Sequence, residues 1–130
     1  LPYHPNNELW NIKPNNIIDT PYGIATVYGI SKDCVQITLK DNESIFDFDL
    51  EDAKPIELTE DILLNNCGFK RADKNDSFGG ILSPYLPNGN RIRLVNLEWK
   101  TQHYTTKFET LHHLQNWWYD NFQTELEINL

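Results

Sequence analysis

The sequence lacks several features that would place it in a common functional class. Its 130 residues include only two cysteines, Cys34 and Cys67, which do not have the spacing of a metal site. The two thiols could pair, but buried free cysteines in a reducing cytosol are the interpretation we favour. No apolar run approaches the roughly 18 residues that span a membrane, and no signal peptide is recognisable. We therefore expect a cytoplasmic protein that does not contact a membrane.

Signatures of catalysis are also absent from the sequence. Ser, Cys, His and acidic residues are present, but no nucleophile elbow or glycine-rich oxyanion loop presents them. Gly79-Gly80 is too short to cradle a phosphate. His112 and His113 are adjacent on a predicted helix, so their side chains point about 100° apart and cannot bind one metal together. We expect neither an enzyme nor a cofactor or metal.

Basic residues are scarce in one stretch of the chain, and this stretch carries the whole excess charge. The sequence has 19 acids, 11 bases and a net charge of −8. Nine of the acids and one of the bases, Lys54, lie between Asp41 and Asp61, so ten acids and ten bases balance elsewhere. We call residues 41–61 the acidic belt. Such a belt repels nucleic acid and attracts basic protein surfaces.

The apolar pattern predicts one α+β domain over residues 1–130. Residues 1–16 are rich in Pro and Asn, which predicts an irregular N-terminal arm. Residues 17–50 alternate apolar and polar side chains or contain β-branched runs separated by short polar links. This pattern predicts a bent antiparallel sheet, similar to an SH3 half-barrel.

A hairpin is predicted in the second half of the chain. Asn88-Gly89 lies between two apolar runs, which is a strong hairpin signal within residues 81–106. We expect its strands over residues 81–86 and 91–99, and a polar connection over residues 70–80 before them.

Two helices are predicted. Thr59 is a good N-cap for a short helix over residues 59–67. Residues 108–122 carry an apolar stripe at helical spacing, which predicts a C-terminal helix packed on the sheet.

The last strand of the predicted sheet carries carboxylates on its exposed face. Strand side chains alternate between faces. Ile45 or Phe46, then Phe48 and Leu50, mark the apolar face, and on one phase of the strand Phe46, Phe48 and Leu50 point inward. The predicted outward positions form a row of carboxylates: Asp47, Asp49 and Glu51, with Asp52 directly after. These four acids are the first candidate for partner binding, and a merely solvated strand face is the alternative.

A calcium loop is a further alternative for the same residues. A loop counted from Asp47 requires Gly at position six and Glu at position twelve. Those positions hold Asp52 and Leu58. The pattern therefore excludes this type of calcium site.

Three consecutive aromatic residues, Trp117, Trp118 and Tyr119, form the second candidate for partner binding. They cannot all face the core of a helical segment, so we expect at least one to be exposed. Exposed Trp and Tyr are typical of binding hot spots. The alternative is that Trp118 belongs to the core and the other two rings lie under loops.

Two motifs resemble a group of small uncharacterised proteins from phages, prophages and mobile elements of Bacteroidetes. The first motif, KPIELTEDILLNNCGF (Lys54–Phe69), is similar to the group's PIPLTEEWLLKFGF. The second, LHHLQNWWYDNFQTELEI (Leu111–Ile128), is similar to YVHQLQNLYFALTGEELEI, although Trp117-Trp118 and Asp120-Asn121 depart from it. The second motif matches at His112 or His113, Leu114, Gln115, Asn116, Tyr119, Glu125, Leu126 and Glu127. The resemblance implies a fold and a mobile-element origin, and it carries no catalytic residues.

Two functional hypotheses follow. The first is a non-enzymatic interaction protein of phage origin that inhibits a host defence system such as a CRISPR effector. Its acids Asp47, Asp49, Glu51 and Asp52 would occupy the basic channel of a nucleic-acid-guided effector in the bacterial cytoplasm. Direct binding of nucleic acid is not expected from so acidic a protein.

The second hypothesis is an SH3-like module that acts with nucleic acid in phage replication or packaging. Its basic patch would be Lys70, Arg71, Lys74, Arg91 and Arg93. An enzyme is the third and least supported class.

Overall fold

The computed structural model describes residues 11–31, 34–40 and 42–130, without the side chains of residues 42 and 43. Within this range the fold is α+β, as predicted, with mostly antiparallel sheets and two α-helices. The second helix is C-terminal. Most of the predicted N-terminal arm, residues 1–10, lies outside the described residues.

The described residues form two compact units. The first combines the described part of Leu1–Glu57 with Thr110–Trp117. The second combines Leu58–Glu109 with Trp118–Leu130. The organisation of the chain as one domain stays a prediction.

An antiparallel meander of four strands forms the sheet of the first unit. Its strands are β1 (Ile17–Thr20), β2 (Gly23–Ile30), β3 (Cys34–Leu39) and β4 (Asn42–Asp49), paired in chain order. The pairing register shifts once between β2 and β3 and once between β3 and β4. Irregularities of this kind bend a strand and increase its local twist.

One face of this sheet forms the core of the first unit. Val35 and Ile37 of β3 are fully buried, as the alternation V-Q-I-T-L predicts. Val27 of β2 lies opposite Ile37, and Phe48 of β4 lies opposite Val35. The remaining buried members of the cluster are Ile12, Ile18, Ala25, Leu50 and Ala53. The exposed side chains of the sheet are not all polar, since Ile24 of β2 and Ile45 of β4 are 37% and 47% exposed.

Helix α1 (Glu60–Asn66) opens the second unit's secondary structure, and its caps are the predicted ones. The Thr59 hydroxyl oxygen accepts a hydrogen bond of 3.2 Å from the Ile62 backbone N–H. Leu63 is fully buried, which anchors this short helix. Gly68 follows the C-cap with φ of +74°, a left-handed conformation that glycine adopts without strain.

The predicted hairpin is present, but it belongs to a sheet of three very short strands. β5 (Lys70–Arg71) pairs with β6 (Ile81–Leu82), and β6 pairs with β7 (Arg93–Leu94). The hairpin around Asn88-Gly89 exists, but its paired strands have two residues each, and the predicted polar connection contributes β5. Pro84 and Pro87 have no backbone N–H to continue the ladder.

A tight turn breaks the predicted strand over residues 91–99. Asn96 and Leu97 both have positive φ, +54° and +62°, and Val95 and Glu98 exchange two backbone hydrogen bonds of 3.0 Å. This is the geometry of a two-residue type I′ turn. A Leu in the second position of this turn gives no sequence signal, because glycine is the usual residue there.

A second hairpin and the C-terminal helix complete the chain. β8 (Glu98–Lys100) pairs with β9 (Thr105–Lys107). Helix α2 (Leu111–Phe122) begins three residues later than predicted. Leu111 and Leu114 on its predicted apolar stripe are fully buried.

Candidate functional site

Strand β4 presents two carboxylates on the outer face of the sheet, as predicted. Asp47 lies opposite Gln36 of β3, and Asp49 lies opposite Cys34. Both acids are exposed, whereas Phe48 between them is 8% exposed. The burial of Phe48 decides which face the two carboxylates occupy, because adjacent side chains of a strand point to opposite faces.

The other two predicted acids, Glu51 and Asp52, lie in a 3₁₀ turn (Leu50–Asp52) and not on the strand. The Asp49 carboxylate accepts a hydrogen bond of 3.0 Å from the Glu51 backbone N–H and so caps this turn. The predicted row of three carboxylates along one strand is therefore wrong after Asp49, because this cap bends the chain out of the strand. Leu50 is buried and anchors the turn.

These four exposed acids form what we call the acidic surface: Asp47, Asp49, Glu51 and Asp52. Among the described residues, no Lys, Arg or His nitrogen lies within 4.0 Å of their carboxylates. Glu60, elsewhere in the belt, instead forms an ion pair of 3.3 Å with Arg71. The acidic surface therefore concentrates negative charge that no cation of the described residues pairs.

One belt residue and one belt side chain cannot be placed on this surface. Asp41 lies outside the described residues, as does the side chain of Glu43.

The three consecutive aromatic residues have different environments. Trp118 is 3% exposed. The centre of its ring lies 4.9 Å from the centre of the Phe122 ring and 6.3 Å from the centre of the Phe69 ring. Its predicted place on a binding surface therefore needs correction, because a side chain this buried is part of the core. Tyr119 is 45% exposed, and Trp117 is half-buried.

A buried amide network in the first unit was not predicted. The Gln115 side chain accepts a hydrogen bond of 2.8 Å from the Ile17 backbone N–H and donates one of 3.0 Å to the Asn15 carbonyl. The Asn116 side chain donates to the Asn11 carbonyl at 3.0 Å and also bonds the Asn16 side chain. Both helix residues are buried.

The sequence did hold a signal for this network. Gln115 lies four residues after Leu111, so it falls on the apolar stripe of α2. An amide on such a stripe must find hydrogen-bond partners when it is buried. The role of Gln115 and Asn116 in the second motif is therefore structural: they attach α2 to the segment that enters β1.

The arginines of the predicted basic patch are engaged within the second unit. Arg93 donates a hydrogen bond of 2.7 Å to the Asp76 carboxylate, and its guanidinium lies 5.7 Å from the centre of the Phe78 ring. The Arg91 guanidinium lies 4.7 Å from the centre of the Tyr85 ring. The remaining members are exposed: Lys70, Arg71 and Lys74.

The two cysteines and the candidate metal ligands lie in the described part of the chain. Both cysteines are free thiols, and burial raises the pKa of Cys67 to about 12, so it stays protonated. Within residues 11–31, 34–40 and 42–130, no three His, Cys, Asp or Glu side chains are grouped to hold a metal ion. In the same part of the chain, no helix has the length and apolar character to cross a membrane.

Comparison with known proteins adds no relative from which a role could be transferred. No protein-family model, curated protein or solved structure matches the chain.

Proposed function

We propose that this protein is a non-enzymatic binding protein whose acidic surface engages a basic protein. The observation that carries the proposal is the set of four exposed carboxylates over residues 47–52 without a cationic neighbour among the described residues. Unpaired surface charge of one sign speeds encounter with a partner of opposite sign and selects against other partners.

The scaffold beneath the acidic surface supports this proposal. Phe48 and Leu50, which alternate with the acids in the sequence, are buried, and so is Ala53, which follows them. The Asp49 cap stabilises the 3₁₀ turn. The backbone that carries the carboxylates is therefore ordered before binding. A preorganised surface loses less conformational entropy on association than a flexible acidic tail.

The resemblance to phage and mobile-element proteins gives the proposed partner a biological setting. A nucleic-acid-guided effector holds its guide and target in a positively charged channel. An acidic surface of this kind would compete with nucleic acid for such a channel, so we propose that the protein inhibits a host defence effector.

Two charge variants test the proposal by affinity capture from a bacterial lysate. The first neutralises the acidic surface with Asp47→Asn, Asp49→Asn, Glu51→Gln and Asp52→Asn. The matched control neutralises four exposed acids elsewhere, with Asp19→Asn, Glu57→Gln, Glu109→Gln and Glu127→Gln. Both variants change the net charge from −8 to −4.

Wild type and control should recover a basic nucleic-acid-handling protein that the first variant loses. Equal recovery by both variants, or no basic protein with wild type, would contradict the proposal.

A second candidate function is the SH3-like module that associates with nucleic acid. One feature favours it: Tyr85 is 71% exposed and stacks with Arg91. Exposed aromatic rings and arginines stack on the bases of single strands. A gel shift with single-stranded DNA at low and high salt tests this candidate, with Tyr85→Ala as the variant. No shift at low salt would reject it.

A further inference from the structure

The sheet of the first unit has one edge that its own chain covers in part, and one edge that no described strand covers. At β1, Asp19 and Lys54 exchange backbone hydrogen bonds of 2.9 and 2.8 Å, so part of this edge is paired. At β4 the strand order ends, and no strand or bridge of the described residues pairs with its outer edge. An edge strand presents unpaired N–H and C=O groups that can accept another strand.

The side chains of β4 indicate what kind of strand would fit. On the outer face, Asp47 and Asp49 are exposed and two positions apart, which is about 7 Å along a strand. On the core face, Phe46 lies opposite the fully buried Ile37 but is itself 38% exposed. The edge therefore offers carboxylates and the exposed Ile45 on one face, and the uncovered ring of Phe46 on the other.

Phe46 lies on the predicted inward face, but its ring is 38% exposed and is therefore not buried as Phe48 is. In β3 the corresponding apolar side chains have strands on both sides, whereas the described residues place a strand on only one side of Phe46. A further strand beside β4 would cover its ring.

We propose that the outer edge of β4 takes up an extended basic segment of the partner as a fifth strand. In this segment Lys or Arg alternates with apolar residues. The bases lie beside Asp47 and Asp49, and an apolar residue covers Phe46. The inference rests on the proposed function, because it specifies how the acidic surface engages a basic protein.

The same charges argue against a second copy of this chain as the occupant. Two β4 strands paired antiparallel, edge to edge, would bring the Asp47 and Asp49 carboxylates of both copies to one face of the joined sheet. Like charges on neighbouring positions of paired strands are destabilising, whereas opposite charges stabilise the pair. Charge complementarity therefore selects a basic strand.

Labelled peptides provide the test with the full chain. The first peptide alternates Lys and Val over eight residues, the length of β4. The second has the same composition with all lysines at one end. Two further versions of the first peptide carry N-methyl groups on alternate amides, one set on odd and one on even positions.

Affinity is measured by fluorescence anisotropy. The alternating peptide should bind about tenfold more tightly than the blocked peptide, the effect of losing one or two good contacts. One N-methylated version should bind about tenfold more weakly, and the other should bind almost as tightly as the unmodified peptide. The reason is that only every second backbone N–H of an added strand points toward the neighbouring strand. Asp47→Asn with Asp49→Asn should weaken binding, and Asp19→Asn with Glu57→Gln should not.

Equal binding of the alternating and blocked peptides, or indifference to both N-methyl patterns, would overturn strand addition. It would leave the proposed function intact, because the acids would still attract bases. If none of the peptides bound at low salt, the proposed function would fail as well.

Amide hydrogen exchange in the free protein separates the other occupants. Amides of β4 that exchange rapidly in the free protein and become protected when the alternating peptide is added would support the proposal. Protection that grows with protein concentration would indicate a second copy, and constant protection would indicate the chain's own residues. Either result would overturn the proposal.

Discussion

Asn16 and Asn116 form a reciprocal amide pair although 100 residues separate them. Each side chain donates to the oxygen of the other, at 2.8 and 3.3 Å, and both residues are buried. The Asn16 side chain also accepts a hydrogen bond of 2.8 Å from the Lys13 backbone N–H. This pair connects the entry of β1 with α2 inside the first unit.

Removal of one member of this pair should destabilise the protein. Asn116→Ala leaves the buried Asn16 amide without its partner and removes the hydrogen bond to the carbonyl of the exposed Asn11. An unsatisfied buried group costs about 1–3 kcal/mol, so we expect a loss of about 1–3 kcal/mol in the free energy of unfolding. Urea denaturation followed by circular dichroism measures it.

The control for this prediction is Asn65→Ala, an exposed asparagine in α1. It should change the free energy of unfolding by no more than about 0.5 kcal/mol. The double variant Asn16→Ala/Asn116→Ala should cost less than the sum of the two single variants. Additive losses would show that the two side chains do not depend on each other.

Trp118 and Tyr119 should respond differently to truncation. Trp118→Ala removes a buried ring that packs on Phe69 and Phe122, and such truncations cost about 3–5 kcal/mol. Tyr119→Ala removes a ring that is 45% exposed and should cost about 1 kcal/mol or less. Thermal and urea unfolding of both variants measures the difference. Similar losses at the two positions would contradict the assigned burial.

Burial of Cys67 should make stability fall in alkaline solution. Its pKa is about 12 in the folded chain, against an ordinary value of 9.0, because burial disfavours the thiolate. The stabilisation is fully present below pH 9, and it is lost as the pH rises toward 12, because only the unfolded chain releases the proton. The free energy of unfolding should fall by at most about 1.4 kcal/mol per pH unit in this range.

Urea unfolding between about pH 8 and 10.5 measures this effect, with Cys67→Ala as the control. The variant should lose stability less steeply with pH, even though it is less stable at every pH. Parallel curves for wild type and variant would show that Cys67 is not the titrating group.

The ion pair between Asp76 and Arg93 should appear in a carboxyl titration. The hydrogen bond from Arg93 lowers the pKa of Asp76 below its ordinary 3.8, and a backbone hydrogen bond from Phe78 adds to the effect. The stabilisation is present above pH 3.8 and is lost as the pH falls through the lowered pKa.

Carbon NMR of the Asp76 carboxyl group measures the midpoint directly. We expect a midpoint below 3.8 in wild type and a higher one in Arg93→Gln. Arg91→Gln is the matched control, since Arg91 lies beside Tyr85 and forms no ion pair among the described residues. Unchanged titration in Arg93→Gln would contradict the assigned cause.

Local chemistry made several parts of the fold predictable. Thr59 caps α1 because a hydroxyl acceptor at this position depends only on residues three places away. The alternation around Val35 and Ile37 predicted a buried face without knowledge of the other strands. The same rule places Asp47 and Asp49 on the face opposite to that of Phe48, so the position of half of the acidic surface could be predicted from the sequence.

The sequence by itself thus determined the fold class, the caps of α1, the charge of the belt and the strand face that carries Asp47 and Asp49. Only the tertiary structure decided that Trp118 is core while Tyr119 is exposed, that Leu97 adopts a left-handed turn, and that Asn16 meets Asn116. It also showed that the outer edge of β4 lacks a strand among the described residues. The physical reason is distance along the chain. Capping and alternation act within a few residues, whereas burial and amide pairing depend on segments that come together only when the chain folds.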